Sequence, residues 1–109
     1  MDEGEVVFDV RVEHDGGPPT VVYVSGEVDL ASAPQLRQAL LGLVEADTLD
    51  VVVDASGLTF IDSAGLSVLL MASKRWAERK ATLTLRAPSQ PLRRLLELTA
   101  TTGRFQLEP

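Results

Sequence analysis

The chain has 109 residues, 45% of them hydrophobic and 24% charged, which fits one globular domain spanning residues 1–109 around one modest core. A net charge of -6, with ten scattered basic residues against sixteen acidic ones, argues against nucleic acid or an anionic membrane as partner. There is no cysteine and one histidine, so thiol chemistry is excluded, a transition-metal site has too few ligands, and no cofactor is expected.

The N-terminal MDEGEVVF is acidic, lacks a basic segment before an apolar one, and no apolar run approaches the about 20 residues that span a bilayer. A cytoplasmic protein is the expectation. Val6, Phe8, Val10 and Val12 alternate with Val7, Asp9, Arg11 and Glu13, the period of an edge strand with one wet face. Asp15, Gly16, Gly17, Pro18 and Pro19 break that pattern before Thr20 to Val24, so the two strands are expected to form an antiparallel hairpin, with His14 at the bend.

Ser25 to Leu30, SGEVDL, leaves the second strand with a glycine and two carboxylates. A helix then starts near Ser32, which has capping-box spacing to Gln35, and Pro34 sits in a first turn where its missing N–H is harmless. Leu36, Leu40, Leu43 and Val44 form its apolar stripe. Leu49 to Ala55 is β-branched and almost wholly apolar, which suits a parallel strand covered on both faces.

Leu66, Leu69, Leu70 and Ser73 then recur at helical spacing, so this strand runs through a polar turn into a second helix, from about Ala64 to Lys80. Asp62 and Ser63 stand where that helix begins, and Ser63 is the preferred N-cap. Lys74, Arg75, Arg79 and Lys80 oppose the negative end of the helix dipole. Thr82 to Arg86 alternates as another strand; Ser89 and Pro91 open a third helix with Leu92, Leu95, Leu96 and Thr99 on one face; Gly103 breaks it before a short strand around Phe105 and Leu107. The class is therefore α/β: a mixed sheet of four to five strands, only the first antiparallel, packed with three helices.

Strand, sharp turn, serine and helix also describe a hydrolase nucleophile elbow. That reading fails: Ile61 replaces the first glycine of G-x-S-x-G, and the histidine lies far upstream of Ser63. Asp54 at the end of VVVD stands where a receiver domain carries its acceptor aspartate, but the further carboxylates that would hold magnesium are missing. No phosphate-binding G-x-x-x-x-G-K-[ST] loop occurs. The chain is therefore expected to be no enzyme, to take no small-molecule substrate, and to present its serine to another protein.

The run Leu58-Thr59-Phe60-Ile61-Asp62-Ser63-Ala64-Gly65-Leu66, with Gly26-Glu27-Val28-Asp29 after the second strand, resembles the STAS domain of bacterial anti-anti-sigma factors. The resemblance covers nearly the whole chain in element order. It implies that Ser63 is phosphorylated by an anti-sigma factor that is itself a serine/threonine kinase, and that a metal-dependent serine phosphatase reverses this. It further implies that the unphosphorylated form binds the anti-sigma factor and releases a sigma factor, as in stress-response partner switching. Asp62 would orient the turn, Gly65 would let the partner approach, and Gly26, Glu27 and Asp29 would adjoin Ser63, Ala64 and Leu66 on the docking surface. Ala64 departs from the family, many members of which carry a second hydroxyl there, and the chain stops at Pro109, where relatives often add a helix. A STAS scaffold that is never phosphorylated, or a small-ligand sensor in a larger signalling or transport complex, remains open as an alternative.

Overall fold

The computed structural model describes residues 7–14 and 16–109; Val6 and Asp15 lie outside the described residues. The elements run β1 (Phe8–Glu13), β2 (Thr20–Val28), α1 (Ala33–Glu45), β3 (Asp50–Ile61), α2 (Ser63–Glu78), β4 (Thr82–Arg86), α3 (Gln90–Leu98), a 3-10 turn (Thr102–Arg104) and β5 (Gln106–Glu108). One sheet holds the five strands in the order β1-β2-β3-β4-β5, with β1 antiparallel to β2 and all other neighbours parallel. This is the mixed α/β sheet with three helices that the periodicity implies.

Each parallel connection steps in the same direction across the sheet, and such crossovers share one hand, so the helices gather on one face. Val22, Val24, Val51, Val53, Leu83 and Leu85 point to that face and join Leu36, Leu40, Leu69, Trp76, Leu92 and Leu96 in one core. The apolar run in β3 is therefore covered by helices on one face only. On the other face Val52 is shielded by its strand neighbours Val21 and Thr84, and Leu49, expected inside the strand, is exposed just before it.

On that helix-free face a polar row crosses the sheet in register, from Arg11 to Tyr23, Asp54 and Arg86. The Arg11 guanidinium lies 4.6 Å from the Tyr23 ring centroid, and Arg86 donates to Asp54 at 3.0 Å. Burial pushes the Asp54 carboxyl up, but the hydroxyl and amide of Ser56 and the Arg86 guanidinium outweigh it and hold its pKa below the ordinary value. Asp54 thus serves the sheet as one end of an ion pair.

Both central strands outrun the sequence reading. Register shifts between Tyr23 and Ser25 and between Gly26 and Glu27 absorb the misfit, so β2 and β3 stay paired to Val28 and Ile61. Gly26 makes this possible: its φ is +86°, and a Cβ there would fall on the Val7 carbonyl.

The helix ends also differ from expectation. Asp47, Lys80 and Ala100 take positive φ just past α1, α2 and α3, and the next amides, of Thr48, Ala81 and Thr101, donate back to Leu43, Trp76 and Leu96 at 3.0, 3.0 and 2.9 Å. Ala100, not Gly103, therefore closes α3, against a left-handed cost of about 1–2 kcal/mol. Arg79 reaches from the C-cap of α2 to the end of α1, donating to the Val44 carbonyl at 2.9 Å and to Asp47 at 2.7 Å. Of the four cations assigned to the α2 dipole, Arg79 thus also serves another helix. Among the described residues, no helix is long and apolar enough to cross a membrane.

Candidate functional site

Parallel pairing brings the carboxyl ends of β2 and β3 side by side: Val28 is opposite Ile61, and the Asp62 amide donates to the Val28 carbonyl at 3.2 Å. The two polar stretches singled out in the sequence, around Glu27 and around Ser63, therefore meet at one end of the sheet. At that end the turn from β2 into α1 lies beside the turn from β3 into α2.

Asp62, not Ser63, is the N-cap of α2. Its backbone is extended (φ -113°, ψ -171°), and its carboxylate accepts the Ala64 and Gly65 amides at 2.9 and 3.2 Å. A carboxylate meets both the unpaired amides and the positive end of the dipole, which a hydroxyl meets less well. The one-residue shift makes Ser63 the first helical residue. It is exposed, and its hydroxyl has no hydrogen bond to another described residue, whereas the nearby Ser67 hydroxyl donates to the Ser63 carbonyl at 2.9 Å.

Gly65 and Leu66 point the other way, into the core. A Cβ on Gly65 would lie 2.6 Å from Val28 Cγ1 and 2.9 Å from Ile61 Cγ1, so this glycine seats the helix against the strand ends, where the sequence reading had it facing the partner. Gly65→Ala is accordingly expected to be net destabilising: overpacking costs about 1–3 kcal/mol against a helix-propensity gain of about 1 kcal/mol. Chemical denaturation measures this, and a stabilised variant would contradict it.

The loop after β2 has its own order. The Asp29 carboxylate accepts the Ala31 and Ser32 amides at 2.9 and 3.1 Å, while the Ser32 hydroxyl donates to the Glu27 carbonyl at 2.8 Å. The expected capping box of Ser32 and Gln35 does not form: Ser32 is the N-cap of α1, but its side chain makes no cap bond. The Ser32 amide, partly offset by desolvation and reinforced by the Ala31 amide, lowers the Asp29 pKa. Asp29 therefore orders the loop, whereas Glu27 is exposed. Asp29→Ala should lower the melting temperature and Glu27→Ala should leave it unchanged, both by thermal denaturation; equal melting of the two would contradict the assignment.

Two residues that the sequence reading did not single out belong to this end of the sheet. Leu30, 79% exposed, follows Asp29, and Phe60, 47% exposed, pairs with Glu27. Phe60 stands in the run that carries the family resemblance but received no role, because β3 reads as ending at Ala55. The end thus presents an exposed serine, carboxylates and two apolar side chains, an arrangement suited to docking a protein, and among the described residues no cluster of histidines and carboxylates could hold a metal there.

Known proteins share this fold. The family model described as "Mlab, STAS domain" matches residues 11–107. An anti-sigma-B factor antagonist of Listeria monocytogenes is 32% identical over 78 residues, which cover 72% of this chain and 68% of that one. The crystal structure of an anti-sigma factor antagonist from Mycobacterium paratuberculosis superposes with a TM-score of 0.83 at 31% identity, over 94% of this chain and 86% of the other. The Bacillus antagonist SpoIIAA has the same fold in its phosphorylated form, with a TM-score of 0.73 at 17% identity over 93% of this chain and 92% of that one. The chain belongs to the STAS domain family of anti-sigma factor antagonists, which are regulatory binding proteins rather than enzymes.

Proposed function

We propose that this chain is a cytoplasmic partner switch: unphosphorylated, it binds an anti-sigma factor serine kinase and so releases the sigma factor; phosphorylation of Ser63 ends that binding. A metal-dependent serine phosphatase resets it. The observation that carries the reading is Ser63 itself, exposed and unbonded on the first turn of α2 within a chain related to antagonists along most of its length. Ala64 leaves no competing hydroxyl beside it, and the Ser67 hydroxyl is already engaged. Leu30, Phe60, Glu27 and Ala64 supply the surrounding contact surface, held in place by the Asp29 and Asp62 turns.

The test is titration of the chain against candidate anti-sigma kinases, with and without ATP. Ser63→Ala is expected to bind the kinase as tightly as the unsubstituted chain and to accept no phosphate. Uptake of phosphate by Ser63→Ala would move the acceptor elsewhere, and failure of every candidate to bind would favour a fixed scaffold.

A further inference from the structure

The helix starts that meet at the Ser63 turn are both occupied by carboxylates of the chain itself. Asp62 holds the Ala64 and Gly65 amides, the Leu66 amide is spent on the Asp62 carbonyl at 3.0 Å, and Asp29 holds the Ala31 and Ser32 amides. A phosphate at a helix N-terminus is ordinarily held by such amides. Here the Ala64 and Gly65 amides already have an anion, and the Ser63 amide has no hydrogen bond among the described residues.

Among the described residues, neither of the two turns that meet there carries a lysine or arginine. β2 and β3 contain no lysine or arginine; α1 carries Arg37, exposed and without an ion pair among the described residues; the cations of α2, Lys74 and Arg75, lie at its far end. Among the described residues, the charged groups of those two turns are Asp62, Asp29 and Glu27.

Resting on the reading of Ser63 as the acceptor, we propose that Asp62 is a positioning residue that denies the Ala64 and Gly65 amides to the Ser63 phosphate and so keeps it displayed outward to the anti-sigma kinase and the phosphatase alike. The chain then gains no bond to the Ala64 and Gly65 amides on phosphorylation, and the effect of the charge falls mainly on the interface. A phosphate beside a carboxylate holds its second proton more tightly, so its second pKa lies above the value of about 6 for free phosphoserine. Asp62→Asn keeps a good cap without the charge, and Asp62→Ala vacates the amides.

The experiment places phosphoserine at position 63 by genetic incorporation, so it needs no kinase and is independent of whether Ser63 is the physiological acceptor. Phosphorus NMR gives the second pKa, amide nitrogen–proton spectra follow Ala64 and Gly65, and melting is compared with and without the phosphate. The expected result is a second pKa above about 6 in the unsubstituted chain. Ala64 and Gly65 should stay still through the titration, and the phosphate should not raise the melting temperature. Asp62→Asn should lower the pKa, and in Asp62→Ala the phosphate should take the amides, lowering it further and raising melting. A pKa at or below about 6 in the unsubstituted chain, with Ala64 and Gly65 following the titration, overturns the proposal, because the phosphate has then displaced Asp62. A pKa that Asp62→Asn leaves unchanged overturns it as well.

Discussion

Phosphorylated Ser63 is expected to bind the anti-sigma factor at least about a hundredfold more weakly than the unmodified chain, close to 3 kcal/mol at 1.4 kcal/mol per factor of ten. Leu30 and Phe60 are exposed at the same end of the sheet as Ser63, so a partner packed across that end would strip water from the phosphate. A desolvated charge without a counterion costs several kcal/mol, which sets the size of the effect. The fold should stay as it is: a charge at the positive end of a helix is worth at most about 0.3–1 kcal/mol, and Asp62 already takes much of that benefit. Titration against the anti-sigma factor, beside circular dichroism and melting of both forms, checks each half. A phosphorylated form that melts far lower would mean switching by unfolding, and one that binds as tightly as before would remove Ser63 from the switch.

Trp76→Ala is expected to cost about 3–5 kcal/mol of stability, a large share of the about 5–15 kcal/mol that holds such a domain folded. Trp76 is fully buried, and its Nε1 donates to the Thr48 carbonyl at 2.9 Å, tying α2 to the connection between α1 and β3. Truncation therefore leaves both a cavity and an unpaired carbonyl. Trp76→Phe retains most of the volume and should lose less, the hydrogen bond contributing about 1 kcal/mol. Urea denaturation of the two variants measures the difference. Equal stability of Trp76→Ala and the unsubstituted chain would show that α2 is not anchored there.

The elements that the sequence reveals are those written as periodicity. Thr82 to Arg86 alternates and is β4 to the residue; the Leu36, Leu40 and Leu43 stripe is the buried face of α1; the hairpin is marked by its Gly-Pro break. The adjacency of the Glu27 and Ser63 stretches came from the family resemblance, and the parallel pairing of β2 and β3, which delivers both carboxyl ends to the same edge, is its physical reason. What was not legible depended on geometry finer than a pattern. Asp62 and Ser63 are both good caps by type, and only the extended backbone at Asp62 decides between them. Gly65 looked like room for a partner, but it packs on Val28 and Ile61, a contact that no spacing encodes. Helices followed by Asp47, Lys80 and Ala100 at positive φ carry no glycine signal, and the strand read as ending at Ala55 continues to Ile61.

The central claim is that the turn at Ser63 is a phosphorylation-controlled docking element, and the intact mass of the protein produced beside its own anti-sigma kinase tests it most directly. The account predicts one stoichiometric phosphate, mapped by fragmentation to Ser63 and absent from Ser63→Ala. An unmodified mass, or a phosphate mapped to Thr59 or Ser67, would contradict it.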